Sequence, residues 1–219
     1  MLKDKKCIIF DLDGTLVDSL WVWQRIDSIY LAKKGIQTDE NLQERLNGKS
    51  FTEAITHVKE SFSLSESIEE ITEEWIAIWS DIYKNDVDFK NGALDFLKTL
   101  HKQKYRLAVG TSNNKTLASS YLKEKKLDHY FEMISTACEA GRGKPHPDVF
   151  LQVAETLKVD PKDCFVFEDT LEGVQAGKNA GMTVAAVYDK AHKPFEKDIR
   201  EQADYYFVDM AEALKLHQQ

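Results

Sequence analysis

Asp11 and Asp13 stand one residue apart at the end of an apolar run, in the stretch CIIFDLDGTLVDS (7–19), with Gly14 directly behind them. In a strand, residues i and i+2 point to the same face. The two carboxylates are then close neighbours that repel and shift each other's pKa. Folding gains nothing from that repulsion. A cation beside them turns it into a binding site, because carboxylate oxygens are natural ligands of magnesium. The competing explanation is a polar turn after a strand, since Asp and Gly both favour turns. The rest of the chain has to decide between them.

The elements that must position these acids follow from the apolar rhythm. Residues 7–12 read as a first strand, and 20–83 as mainly helical, roughly over 20–34, 39–46, 51–61 and 68–83. In the last of these, Ile68, Ile71, Trp75, Ile78 and Ile82 form one stripe at spacings of three and four. Ser67 and Glu70 make a capping box at its start. Glu66, Glu69, Glu70, Glu73 and Glu74 read as a solvated face. From Asn91 onward, helix and strand alternate: helices over 92–103, 115–126, 148–158 and 171–180, strands over 105–110, 132–136, 164–168, 183–187 and 205–208, then a C-terminal helix. Pro147 suits the first turn of the third of these helices.

Alternation of this kind predicts an α/β fold, a Rossmann-like doubly wound parallel sheet covered on both faces. The helical block interrupting it predicts an inserted domain. The expected division is a core of 1–16 and 88–219 and a helical cap of 17–87, with hinges near 15–18 and in KNDVDFK (84–90).

Composition narrows the function classes. The chain has 219 residues, 42% of them hydrophobic, enough for a packed core. The net charge of −8 argues against nucleic-acid binding through a broad basic face. It leaves room for a local cationic spot that holds a phosphate. Cys7, Cys138 and Cys164 are odd in number and lack metal-ligand spacing, which fits a reducing, cytoplasmic compartment. The start MLKDKKCIIF reads as neither signal peptide nor anchor, and no apolar run reaches the length of a membrane span. No membrane partner is expected, and the composition leans to a monomer.

In an open parallel sheet, ligands bind beyond the carboxyl ends of the strands. Here the first strand ends in Asp11-Leu12-Asp13-Gly14-Thr15, the second in Thr111-Ser112-Asn113-Asn114, and the fourth in Glu168-Asp169. Between the last two lies GRGKPHP (141–147), a turn-rich loop that places Lys144 just before a helix. Four acidic side chains can hold one magnesium, hydroxyls and loop amides can hold phosphate oxygens, and a lysine can neutralise phosphate charge.

DLDGT (11–15), VGTSN (109–113), GKPHPD (143–148) and FEDTLEGVQAG (167–177) together resemble the four motifs of the haloacid dehalogenase superfamily, in order and in the right context. The resemblance covers essentially the whole chain. The helical insert is similar to the cap of the β-phosphoglucomutase and sugar-phosphatase branch. The resemblance implies that Asp11 is a nucleophile forming an aspartyl-phosphate, and that Asp13 protonates the leaving oxygen and later takes a proton from water. It implies Mg2+ held by Asp11, the backbone carbonyl of Asp13, Asp169 and Glu168, with a purely indirect role for Glu168 as the alternative. Thr111, the backbone at Ser112, and Lys144 would grip the phosphoryl oxygens, with Asn113 nearby. Gly14 would let the chain turn away and leave room for the phosphate.

In the insert, Gly48, Lys49 and Ser50 read either as a loop contacting the substrate's non-reacting part or as an ordinary helix–helix turn. Trp21 and Trp23 cannot both face one way; one reads as core, and Trp23 as a border of the substrate pocket. His146 reads as structural, and Gly173, Gly177 and Gly181 as close helix packing, with Gly181 just past the helix end. A β-phosphoglucomutase typically has a histidine near the position of Trp23 and an arginine where this chain has Phe51. Both departures favour a phosphatase acting on a small phosphorylated metabolite, foremost a sugar phosphate. Alternatives are the mutase, a nucleoside-monophosphate phosphatase of the pseudouridine 5'-phosphate type, and a non-catalytic phosphometabolite sensor.

Overall fold

The computed structural model describes residues 1–37 and 41–219, and all of their side chains except those of 24, 43 and 84–86. The start of the helix expected over 39–46 lies partly outside the described residues. In chain order the elements are β1 (Cys7–Phe10), α1 (Leu20–Lys33), α2 (Leu42–Leu46), α3 (Phe51–Ser61), α4 (Ile68–Asp86), α5 (Ala93–Lys102), β2 (Arg106–Thr111), α6 (Lys115–Glu124), β3 (Met133–Thr136) and α7 (Ala137–Ala140). There follow α8 (Asp148–Leu157), β4 (Cys164–Glu168), α9 (Leu171–Asn179), β5 (Thr183–Val187), α10 (Glu196–Gln202), β6 (Tyr205–Phe207) and α11 (Met210–His217).

Among the described residues the six strands form one sheet in the order β3-β2-β1-β4-β5-β6, with every pairing parallel. The chain runs outward from β1 to β3, then crosses over to β4 on the other side of β1. That reversal makes β1 and its two neighbours the topological switch point, where α/β sheets open a crevice.

Alternation along each strand feeds two cores. Ile8, Phe10, Phe165 and Phe167 face the first, which includes buried residues of α1, α3, α4, α5 and α6. Cys7, Ile9, Cys164 and Val166 face the second, with buried residues of α8, α9 and α10. Phe10 stacks on Phe167 at 5.0 Å across the β1–β4 pair. Gly177 packs its backbone against Val184 of β5, and Gly181, at φ +75°, turns the chain just after α9.

The helices between β1 and α5 pack on one another, with α4 against both α1 and α3. Ser50 and Ser67 cap α3 and α4 with complete capping boxes. The chain leaves and re-enters the sheet through a narrow pair of extended segments: Asp18 N donates to Asp88 O and Lys90 N to Leu16 O, both at 2.9 Å. Because α4 continues to Asp86, the second crossing is shorter than KNDVDFK suggested. Five short elements among the described residues have no counterpart in the apolar rhythm: the one-turn α7, α10, and 3-10 segments over Asp128–Tyr130, Pro161–Asp163 and Lys190–Phe195. No helix among the described residues is long and apolar enough to cross a membrane.

Candidate active site

The carboxyl ends of β1, β2 and β4 bring Asp11, Asp13, Thr111, Glu168 and Asp169 together, and the loop between α7 and α8 adds Lys144, all buried. Lys144 Nζ donates to Asp11 Oδ1 at 2.7 Å and pairs closely with Glu168 Oε1. Burial alone would pull the Lys144 ammonium toward neutrality; the charges of Asp11 and Glu168 overcome it and hold its pKa up. Burial acts on Asp11 in the opposite direction. Burial raises its pKa well above the usual carboxylate range, with Lys144 pulling against that rise.

Oxygen ligands of Asp11, Glu168 and Asp169 lie within 4.8 Å of one another. Glu168 Oε2 also accepts from the backbone N–H groups of Asp169 and Thr170 and from the Thr170 hydroxyl. Both Glu168 oxygens are therefore already served by donors. Asp169 Oδ1 accepts from Thr15 Oγ1 at 2.8 Å. Its Oδ2 lies 3.2 Å from His192 Nε2, yet has no aligned hydrogen-bond donor. Gly14, at φ +85°, leaves no space for a side chain: a Cβ there would overlap the Asp169 carboxylate. The room made by this glycine is what lets the Asp169 carboxylate approach the turn.

Asp13 points into the same pocket but has a different environment. Its Oδ1 accepts from Ser19 Oγ at 2.5 Å and Tyr83 Oη at 2.7 Å, and its Oδ2 from Asn113 Nδ2 at 2.8 Å. Burial raises its pKa, and these donors oppose the rise. Asn113 is therefore occupied with Asp13. Thr111 Oγ1 accepts from Asn113 N at 3.0 Å, while the Ser112 hydroxyl is buried without a hydrogen-bond partner.

Above these groups opens a cavity of about 310 Å³, in the range of small-molecule sites. Trp23, Phe51 and Trp75 line its far wall together with Asp27, Glu44 and Lys49. Phe51 meets Trp23 and Trp75 edge-on at 6.0 Å each. Trp23 borders the cavity, as the sequence suggested, but neither Trp23 nor Trp21 is fully buried. His146 is exposed and lies outside the lining.

The loop of Gly48, Lys49 and Ser50 rests directly on the Lys144 loop. A Cβ on Gly48 would come within 2.7 Å of Lys144 O, and one on Gly143 within 2.8 Å of Ser50 N. Phe51 N donates to Ser112 O at 2.9 Å. The Ser50 hydroxyl caps α3, while Lys49 and Gly48 line the cavity.

Several residues of the site escaped the sequence reading. Ser19 lies in the opening stretch but carries no motif of its own. Tyr83 and Asp27 sit among helical residues indistinguishable from core. His192 follows β5, and the strand-end rule extended to that strand would have found it.

The family model for haloacid dehalogenase-like hydrolases matches residues 8–187. The chain is 34% identical over 191 residues to a bifunctional riboflavin kinase/FMN phosphatase of Arabidopsis thaliana, covering 84% of this chain but spanning only about half, 49%, of that protein. It is 33% identical over 190 residues to hexitol phosphatase A of Escherichia coli, covering 86% of both chains. A β-phosphoglucomutase structure from Clostridium difficile superposes with a TM-score of 0.80 at 23% identity, covering 94% of this chain and 92% of that one, a likeness of fold. The chain belongs to the haloacid dehalogenase-like hydrolase family.

Proposed function

We propose that the protein is a Mg2+-dependent phosphatase that hydrolyses a small phosphorylated metabolite, foremost a sugar phosphate, acting as a monomer with residues 17–87 as its cap. The observation that carries this reading is the buried Lys144 ammonium 2.7 Å from Asp11, with Asp13 alongside on the floor of the cavity.

One carboxylate oxygen of Asp11 attacks phosphorus. The bond from phosphorus to the ester oxygen breaks, and that oxygen leaves with a proton from Asp13. Asp13, now ionised, takes a proton from water as the water attacks the aspartyl-phosphate. The bond to Asp11 breaks, and inorganic phosphate leaves. Lys144, the Thr111 hydroxyl and the backbone at Ser112 hold the phosphoryl oxygens; all three residues line the cavity beside Asp11.

The donor set suits a hard divalent cation: the buried carboxylates of Asp11, Glu168 and Asp169 converge, Lys144 pairs with only the first two, and Asp169 Oδ2, 3.2 Å from His192 Nε2, has no aligned donor. Asp11, Asp169 and the backbone carbonyl of Asp13 would hold it, with Glu168, already bonded at both oxygens, as a ligand or as their support. When bound, Mg2+ supplies positive charge against the phosphoryl oxygens. Proton transfer by Asp13 is worth about 10²–10⁴-fold, far below the roughly 10²¹-fold that phosphate-monoester hydrolysis can demand. Positioning and charge stabilisation by Asp11, Lys144 and the loop donors carry the larger share.

The far wall supports a polyhydroxylated leaving group. Glu44 can accept from hydroxyls and Lys49 can donate to them, while Trp23, Phe51 and Trp75 offer flat apolar faces. Similarity to a hexitol phosphatase supports the same class.

Phosphate release from hexose 6-phosphates, hexitol phosphates, β-glucose 1-phosphate and nucleoside monophosphates, with Mg2+ or with EDTA, tests the reading. Mg2+-dependent release abolished by Asp11→Asn is expected. Conversion of β-glucose 1-phosphate to glucose 6-phosphate without release would instead identify a mutase, and binding without turnover a sensor.

A further inference from the structure

Asp13 is held by donors from three separate parts of the chain. Ser19 comes from the start of the insert, Asn113 from the loop after β2, and Tyr83 from the last turn of α4, 70 residues away in sequence. Tyr83 is fully buried. Its ring stacks on Trp79 at 3.6 Å and meets Tyr121 edge-on at 4.6 Å. Phenylalanine would fill that aromatic cluster equally well. The hydroxyl adds the 2.7 Å bond to Asp13 Oδ1, the oxygen that the Ser19 hydroxyl also serves, and placing a polar hydroxyl in a core is costly unless it is bonded.

The neighbouring Tyr121 makes a useful contrast: its hydroxyl is buried with no partner. Tyr83 also lies close to the second crossing, where Asp18 and Lys90 tie the two extended segments together. Its hydroxyl is thus carried to Asp13 by the packing of α4 rather than by any loop of the sheet.

We propose that Tyr83 is a positioning residue for Asp13, holding its carboxylate in the orientation that faces the cavity and so making proton delivery depend on the docked state of α4. This rests on the phosphatase reading, in which Asp13 protonates the leaving oxygen. The consequence is specific. A sugar alkoxide needs that proton in order to leave, whereas p-nitrophenolate, a weak base, does not. The value of kcat/KM covers the steps up to loss of the leaving group, so it isolates this proton transfer from the later hydrolysis of the aspartyl-phosphate.

The experiment compares kcat/KM of wild type, Tyr83→Phe, Tyr121→Phe and Asp11→Asn on the best alkyl phosphate and on p-nitrophenyl phosphate. Tyr83→Phe is expected to lose about tenfold on the alkyl phosphate, the scale of a hydrogen bond to a charged group, and less than about threefold on the aryl phosphate. Tyr121→Phe is expected to show no such split. Equal losses on both substrates, or no loss on either, would overturn the proposal while leaving the phosphatase reading intact. Retention of activity by Asp11→Asn would instead sink the phosphatase reading. A second measurement needs no turnover: denaturant unfolding of Tyr83→Phe, Asp13→Asn and the double variant. Non-additive stabilities are expected of a direct Tyr83–Asp13 bond, and additive ones overturn it.

Discussion

At the residue scale, the site is a balance of buried charge. Lys144 has two carboxylate partners and almost no solvent, so its removal leaves Asp11 and Glu168 facing each other without compensation. Breaking such a buried pair costs about 3–5 kcal/mol, and loss of a donor aimed at developing charge costs about 10²–10³ in kcat. Lys144→Ala is therefore expected to lower both turnover and the thermal midpoint, read by phosphate release and by melting. A variant with unchanged kcat would show that the lysine is only structural. Gly14 illustrates the same economy in backbone form: only a residue without Cβ fits both its positive φ and its approach to the Asp169 carboxylate.

At the scale of elements, the N-terminus of α3 is the joint between insert and sheet. Glu53 accepts from Ser50 N at 2.7 Å, and its Oε2 lies directly against Gly143, so one carboxylate both caps α3 and rests on the Lys144 loop. Partial burial works against its ionisation, but the hydrogen bonds it accepts win, and its pKa is lowered. A carboxylate depressed by folding contributes stability above its unfolded pKa and loses it as pH falls through the folded value. Glu53→Gln keeps an acceptor and removes the charge. The stability gap between wild type and this variant should be full at neutral pH and close as the pH drops below about 4.3. Denaturant midpoints from pH 7 to 3 check this; a gap that persists at low pH would mean that ionised Glu53 does not hold the joint.

For the whole molecule, two tests address how the parts combine. A cation bound by the folded site but not by the unfolded chain raises stability by about 2.7 kcal/mol at a hundredfold excess over Kd, roughly 5–10 °C for a chain of this size. Mg2+ should shift the melting midpoint of the wild type on that scale and that of Asp169→Asn much less. An equal shift in both would remove Asp169 from the metal site. The second test concerns movement of residues 17–87. Thr52 Oγ1 lies 3.3 Å from Cys138 Sγ across the contact between α3 and α7. In a Thr52→Cys variant, oxidising the new thiol and Cys138 to a disulfide would lock that contact. Turnover should fall and recover on reduction; unchanged turnover of the locked form would show that substrate enters without this joint opening.

Much of this protein is local enough to be legible in its sequence. The parallel sheet follows from apolar runs alternating with amphipathic helices, and the insert from a long helical interruption. Asp11, Asp13, Lys144, Glu168 and Asp169 could be picked out because each stands at a strand end or in a turn-rich loop, where position along the chain already implies position in the crevice. Such a rule reaches no further than a residue's own element. Which donor meets Asp13, why Gly14 must lack a side chain, that Glu53 docks on Gly143, and that a 3-10 segment after β5 brings His192 to Asp169 are contacts between elements distant in sequence. Periodicity reports an inward stripe of Ile71, Trp75, Ile78 and Ile82; it carries no record of Tyr83 meeting a carboxylate beside it. Only packing of α4 beside the end of β1 sets that distance, and with it the difference between a core tyrosine and a partner of the acid.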